Sequence, residues 1–197
     1  MLFAMMFFLH IEAFSAEAPT VAVTEEAKLD PKEVAKAEEL VSSAKKSAEK
    51  GDREGAWKFV QESVSLYSGL AEAHELRAEL AVGFKKNDEA IQAYRAFLKL
   101  MPQRDDARKR LGNVLMRHQR YAEAVVEYDV VLKGAPEETA VRYNMARCQA
   151  ISGKNKEALA SLKLCVEKNP QYRQTANGDP AFGKLKADPK FQSLISQ

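Results

Sequence analysis

The chain has 197 residues, 46% of them hydrophobic and 29% charged, a balance that suits one folded unit with its own core and excludes a disordered tail. Lys and Arg number 30 against 28 Asp and Glu, and the net charge of +2 supplies no general attraction to nucleic acid or to an acidic membrane. With 7 Pro and 9 Gly there is little turn material, so long helices with short connections are favoured over a many-stranded sheet.

Met1 to Leu9 is an uninterrupted apolar run, followed by His10, Ile11 and Glu12 and then the small residues Ala13, Ser15, Ala16 and Ala18. Residues 1–18 read as a signal peptide cleaved between Ser15 and Ala18, although no Lys or Arg precedes the run. An uncleaved anchor and a plain unstructured start are the alternatives. A permanent span needs about 20 apolar residues, and the run is much shorter. No Cys lies beside the cleavage region, so a lipid tether is not expected. The protein is therefore expected to be exported to the periplasm, or cytoplasmic if the run is not a signal. Residues 19–30 form a small, polar, flexible leader. Asp30-Pro31-Lys32-Glu33 starts the fold: Asp30 can accept from free backbone N–H groups, Pro31 loses nothing by lacking one, and Glu33 suits the positive helix end.

From there a repeat organises the chain. Ala56, Ala90, Ala124 and Ala158 follow one another at intervals of 34 residues. In step with them run the small residues Ala44, Ala78, Gly112 and Ala146, where two helices can approach closely. Trp57, Ile91, Val125 and Leu159 supply bulk, as do Val60, Tyr94, Tyr128 and Leu162 four residues after the alanines. Pro102, Pro136 and Pro170 end three units, since proline cannot continue a helix. Gly51 and Gly153, with Lys85 and Gln119 in the same register, mark a turn inside each unit.

At these residues, and in stretches such as Asn87–Pro102 and Tyr121–Leu132, the sequence resembles the tetratricopeptide repeat family, and in particular its exported bacterial members. The match places units at 37–70, 71–104, 105–138 and 139–172 within a repeat domain of 31–172, about two thirds of the chain. Early in the first helix, where the family usually has a large apolar residue, this chain has Leu40, His74, Arg108 and Arg142, the last three being departures. Ser43, Ser47 and Ser68 further weaken the first unit, which is expected to pack most loosely. The tail, 173–197, carries Asp179-Pro-Ala-Phe182 with Leu185 and then Asp188-Pro-Lys-Phe191 with Leu194; it resembles the closing segment of such proteins and is expected to cover the open end of the stack.

Chemistry is sparse. His10, His74 and His118 have no partner at metal-ligand spacing, and there is no phosphate-cradling loop or Gly-x-Ser-x-Gly turn, so neither an enzyme, a metal nor a cofactor is expected. His74 is read as a partly buried packing residue. Cys148 and Cys165 would lie roughly 13 Å apart along an antiparallel helix pair, beyond the ~7 Å a disulfide tolerates, so free buried thiols are expected.

The resemblance implies an all-α solenoid, a right-handed superhelix of four helix pairs whose first helices line a concave groove that binds a protein or peptide. The inward positions are Glu38, Lys45, Glu72, Glu75 and Glu79 in the first two units and Asp106, Lys109, Arg110, Asn113, Arg117, Tyr143, Asn144 and Arg147 in the last two. Such a groove is acidic at one end and basic at the other. Some family members hold a peptide's C-terminal carboxylate in a Lys and Asn clamp; Lys109, Asn113 and Asn144 match its first two parts, and the third is missing unless Arg147 or Arg173 substitutes. The expected role is an adaptor in a bacterial envelope assembly, taking a peptide with an acidic or C-terminal carboxylate segment. Two alternatives remain: solvated helix residues with no ligand, and a structural subunit that self-assembles through its convex face or ends.

Overall fold

The structure, a computed structural model, describes residues 30–196. The signal-peptide expectation, and the leader apart from Asp30, lie outside the described residues. Asp30 accepts from the Lys32 backbone N–H at 2.9 Å and opens helix α1, Pro31–Glu49. It is followed by α2 (Arg53–Leu66), α3 (Ala71–Gly83), α4 (Asn87–Leu100), α5 (Asp105–Arg117), α6 (Tyr121–Gly134), α7 (Thr139–Ile151) and α8 (Asn155–Lys168). The tail forms α9 (Tyr172–Gly178), a 3-10 helix over Pro180–Leu185, and α10 (Pro189–Ser196). No strand occurs among the described residues. The fold is an all-α solenoid of stacked helix pairs.

One turn joins the helices of every pair. Gly51, Lys85, Gln119 and Gly153 adopt φ of 82°, 59°, 60° and 77°. The next N–H then reaches back five residues: Asp52 to the Ser47 carbonyl at 2.9 Å, Lys86 to Ala81 at 2.9 Å, Arg120 to Leu115 at 2.8 Å and Lys154 to Gln149 at 2.8 Å. This is the Schellman ending, which satisfies carbonyls that a helix terminus leaves free. Lys85 and Gln119 hold a left-handed conformation that costs a side chain roughly 1–2 kcal/mol, so the turn is imposed by the packing of the pair rather than by local preference.

Three continuous clusters make the core. The first pair contributes Val41, Ala44, Ala56 and Val60, the middle pairs Ile91, Tyr94, Phe97, Leu111 and Tyr128, and the last pair with the tail Tyr143, Leu162, Phe182 and Phe191. Trp57 packs on both the first and the second cluster. In the first pair, buried Ser63 donates to the Ala37 carbonyl at 2.9 Å. That pair thus buries small side chains where its neighbours bury aromatic rings, and stability in a stacked array is close to a sum over units and their interfaces. Native-state hydrogen exchange is expected to find the α1 and α2 amides less protected than those of α3 to α6; the reverse order would overturn the assignment of the weak end.

The departures at the fourth place of each unit have a structural reason. His74 is 5% exposed, and its Nε2 donates to the Ser68 carbonyl at 2.8 Å. Nη2 of Arg108 donates to the Pro102 carbonyl and Nη2 of Arg142 to the Pro136 carbonyl, each at 2.9 Å. Each donor thus fastens a first helix to the turn that ends the preceding unit. Nη1 of Arg108 also donates to Glu127 of the paired helix at 2.9 Å, with both side chains mostly covered.

Cys148 and Cys165 are unpaired and fully buried, and burial pushes both thiols up to about 11. A thiolate is the reactive form, so the folded protein is expected to leave a thiol reagent at about pH 8 unreacted and to titrate both cysteines only on unfolding. Rapid labelling of the native protein would contradict this.

Candidate peptide-binding groove

Residues at one place in the unit recur on one face of successive first helices. α1 approaches α3 and α5 approaches α7. Successive first helices thus lie side by side, and the expected groove positions fall on the face that α1, α3, α5 and α7 share, the candidate groove.

Most of its charges are matched one unit away. Lys45 of α1 pairs with Glu72 of α3. Glu75 accepts from Nη2 of Arg104 at 3.0 Å, Glu79 pairs with Arg110 at 2.5 Å, and Lys109 donates to Glu138 at 2.9 Å. Arg104 also donates twice to Asp106 at 2.9 Å, and these bonds hold the Asp106 carboxyl down at about 2. The acidic and basic stretches legible in the sequence are thus interleaved by cross-unit ion pairs. These pairs are half exposed, and pairs of that kind are worth only about 0–1 kcal/mol each.

The floor between α5 and α7 is polar and uncharged. Asn113 Oδ1 accepts from the Tyr128 hydroxyl at 2.7 Å and from Asn144 Nδ2 at 3.2 Å. Tyr128 belongs to a second helix, and its buried ring carries the hydroxyl through to the concave side. Burial also raises its phenol, and that of Tyr94 beside Arg110, so both remain neutral donors. Arg117 is exposed and forms no ion pair among the described residues.

Tyr143 and Arg147 are placed differently from the rest of the expected groove. Tyr143 is 8% exposed, stacks near Tyr172 and Phe182 with ring centroids 4.9 and 5.8 Å away, and donates to Asp179 Oδ2 at 3.0 Å. Nε of Arg147 lies 2.8 Å from that oxygen, and its Nη1 contacts the Met116 sulfur at 3.7 Å. Asp179 Oδ1 meanwhile accepts from the Ala181 N–H at 2.9 Å. The tail's own carboxylate thus occupies the cation at the last first helix. Asp179 reads in sequence only as a helix start, and its partners lie 32 and 36 residues upstream. No local pattern announces them.

Among the described residues no group of three or more His, Cys, Asp or Glu is placed to hold a metal ion, and no helix is long and apolar enough to cross a membrane.

Stacked helix pairs with a concave face of this kind define a helical-repeat solenoid. The chain belongs to the tetratricopeptide repeat family: two profiles of that description match residues 75–138 and 115–188. It is similar to the TPR repeat-containing thioredoxin TTL4 of Arabidopsis thaliana, 39% identical over 64 residues that make 32% of this chain and 9% of that protein. It is also 27% identical to the Hsp70-Hsp90 organizing protein of Triticum aestivum over 48% of this chain and 19% of the relative. The chain thus spans less than a fifth of the length of these curated relatives. Among solved structures, YrrB, a TPR protein with an unusual peptide-binding site, aligns with a TM-score of 0.67 at 20% identity over 83% of this chain and 84% of its own. MamA from Desulfovibrio magneticus RS-1 aligns at 0.65 and 17% identity, covering 81% and 89%. PilW, a widely conserved type IV pilus biogenesis factor, aligns at 0.51 and 22%, covering 82% and 78%. Likeness at this level establishes the fold.

Proposed function

We propose that the chain is a non-catalytic adaptor that holds an extended peptide or protein segment in its concave groove, within a bacterial envelope assembly. Membership of a family of protein-interaction modules supports the general role, and the apolar N-terminal run supports export. The observation that carries the groove is the polar floor of Asn113, Asn144 and the Tyr128 hydroxyl beside Lys109, Arg110 and Arg117. Lys109 and Arg110 are held only by half-exposed pairs with Glu138 and Glu79. A ligand carboxylate can take either cation at small net cost and gain a charge-assisted hydrogen bond in a partly dry groove. The acidic or C-terminal part of the ligand then lies against α5 and α7 and its basic part against Glu72, Glu75 and Glu79. With Arg147 and Tyr143 engaged by Asp179, the anion site is shorter than a three-unit clamp.

Capture from the envelope of its own cells tests the reading. Lys109→Ala/Arg110→Ala/Asn113→Ala is expected to lose about 2 kcal/mol of binding, roughly thirty-fold in affinity, while keeping its helicity. Undiminished capture by the folded triple variant would remove the groove from consideration. The exposed Val126, Val130 and Leu164 on the second helices favour a different role, self-assembly through the convex face, which sedimentation of the purified chain would reveal as a discrete oligomer.

A further inference from the structure

Away from the concave face, α8 and α10 bound an open cleft of about 820 Å3. The elements after α8 depart from the pattern of the four pairs before them. α9 begins at Tyr172, 33 residues after α7 begins at Thr139, where a fifth first helix belongs. It runs for 7 residues against 13 in α7. Among the described residues, part of the α8 flank beside α10 is uncovered. Leu159, partly buried like its counterparts Trp57 and Val125, lies on that flank.

The floor of the cleft is apolar, formed by Leu159, Pro189 and Leu194, and its rim carries Lys156, Lys163 and Lys190, all exposed. Lys163 has one loose contact, 3.7 Å to Glu167 in its own helix, and neither Lys156 nor Lys190 forms an ion pair among the described residues. Asp188 is the one carboxylate in the lining, and it is committed to the start of α10, accepting from the Lys190 backbone N–H at 2.8 Å. A field of one sign above an apolar floor selects an occupant with the opposite sign on its flanks.

We propose that this cleft docks an amphipathic helix of a partner protein, with its apolar stripe on Leu159 and Leu194 and Asp or Glu flanks against the three lysines. A helix brings its backbone hydrogen bonds with it, whereas an extended segment would find no sheet edge here. About 14 residues, or ~21 Å, match the length of α8. The cleft and the concave groove share no residue, so this docking is independent of the groove reading.

The test uses the full chain and two synthetic peptides of about 16 residues with the same leucine stripe, one flanked by Glu and one by Lys, in fluorescence anisotropy. The Glu peptide is expected to bind and the Lys peptide not. Lys156→Glu/Lys163→Glu/Lys190→Glu, changing exposed side chains only, is expected to weaken binding about tenfold or more, as is raised salt. Replacing the same lysines with Arg should preserve binding, and so should Lys109→Ala/Arg110→Ala/Asn113→Ala. Absence of binding, equal binding of both peptides, or indifference to charge reversal would overturn the proposal. So would an oligomer of the chain alone that the reversal dissolves, which would give the cleft to a second copy.

Discussion

Replacing Phe182 by alanine is expected to cost about 3–5 kcal/mol. Phe182 is 0% exposed and lies with its ring centroid 5.8 Å from Tyr143 and 5.9 Å from Phe191, which is itself 0% exposed. It joins α7 to the tail, so its removal opens a cavity shared by both and leaves the last pair with an uncovered apolar face. Chemical denaturation is expected to show the loss, with hydrogen exchange rising in α7 to α10 and little changed in α3. Phe182→Leu should retain most of the stability, because volume is the property in use. A loss below about 1 kcal/mol for the alanine variant would mean that the tail does not stabilise the stack.

Gly112→Ala is expected to destabilise the protein by about 1–2 kcal/mol, although alanine is the better helix former by about 1 kcal/mol. A Cβ on Gly112 would stand 2.5 Å from Cε1 of Tyr128 and 2.9 Å from Cδ1 and Cζ. The ring is wholly buried and its hydroxyl is tied to Asn113, so it cannot swing away freely. The second pair holds Ala78 with Tyr94, which shows that a shifted ring is attainable and limits the cost; for Tyr128 the shift would strip the bond to Asn113. The fourth pair supplies the control, since Ala146 and Leu162 coexist there, both 0% exposed. In a Tyr128→Leu background the Gly112→Ala change is therefore expected to be neutral or stabilising. Equal melting-temperature drops in both backgrounds would disprove the steric explanation.

The repeat was legible because its causes are local and periodic. Alanines at 56, 90, 124 and 158 report close helix approach, prolines report helix ends, and the position shared by Gly51 and Gly153 located left-handed turns at Lys85 and Gln119. The groove was legible only as a set of positions. Which cations are engaged depends on partners such as Glu138 for Lys109 or Asp179 for Arg147, 29 and 32 residues away on other helices, and no helical period links them. Tyr143 shows the limit most clearly. Its place in the unit puts it on the concave face, and only the path of the tail explains why it lies at 8% exposure instead. Arg108 and Arg142 look in sequence like defects of packing, because hydrophobic pattern is blind to a backbone carbonyl six residues earlier.

Those carbonyl bonds bear on how such an array can grow. The acceptor belongs to the turn closing one unit and the donor to the fourth place of the next, so each bond straddles a seam. The acceptor is main chain, present whether the residue is Ser68, Pro102 or Pro136, and the donor can be imidazole or guanidinium. Any closing turn therefore fits any following unit that carries such a donor. Internal duplication in whole steps of 34 residues would reproduce the joint without a compensating change elsewhere, and a copy of 105–138 inserted after Pro136 and its two following residues would arrive already equipped with Arg108 to fasten it and a Pro136 carbonyl to receive the next.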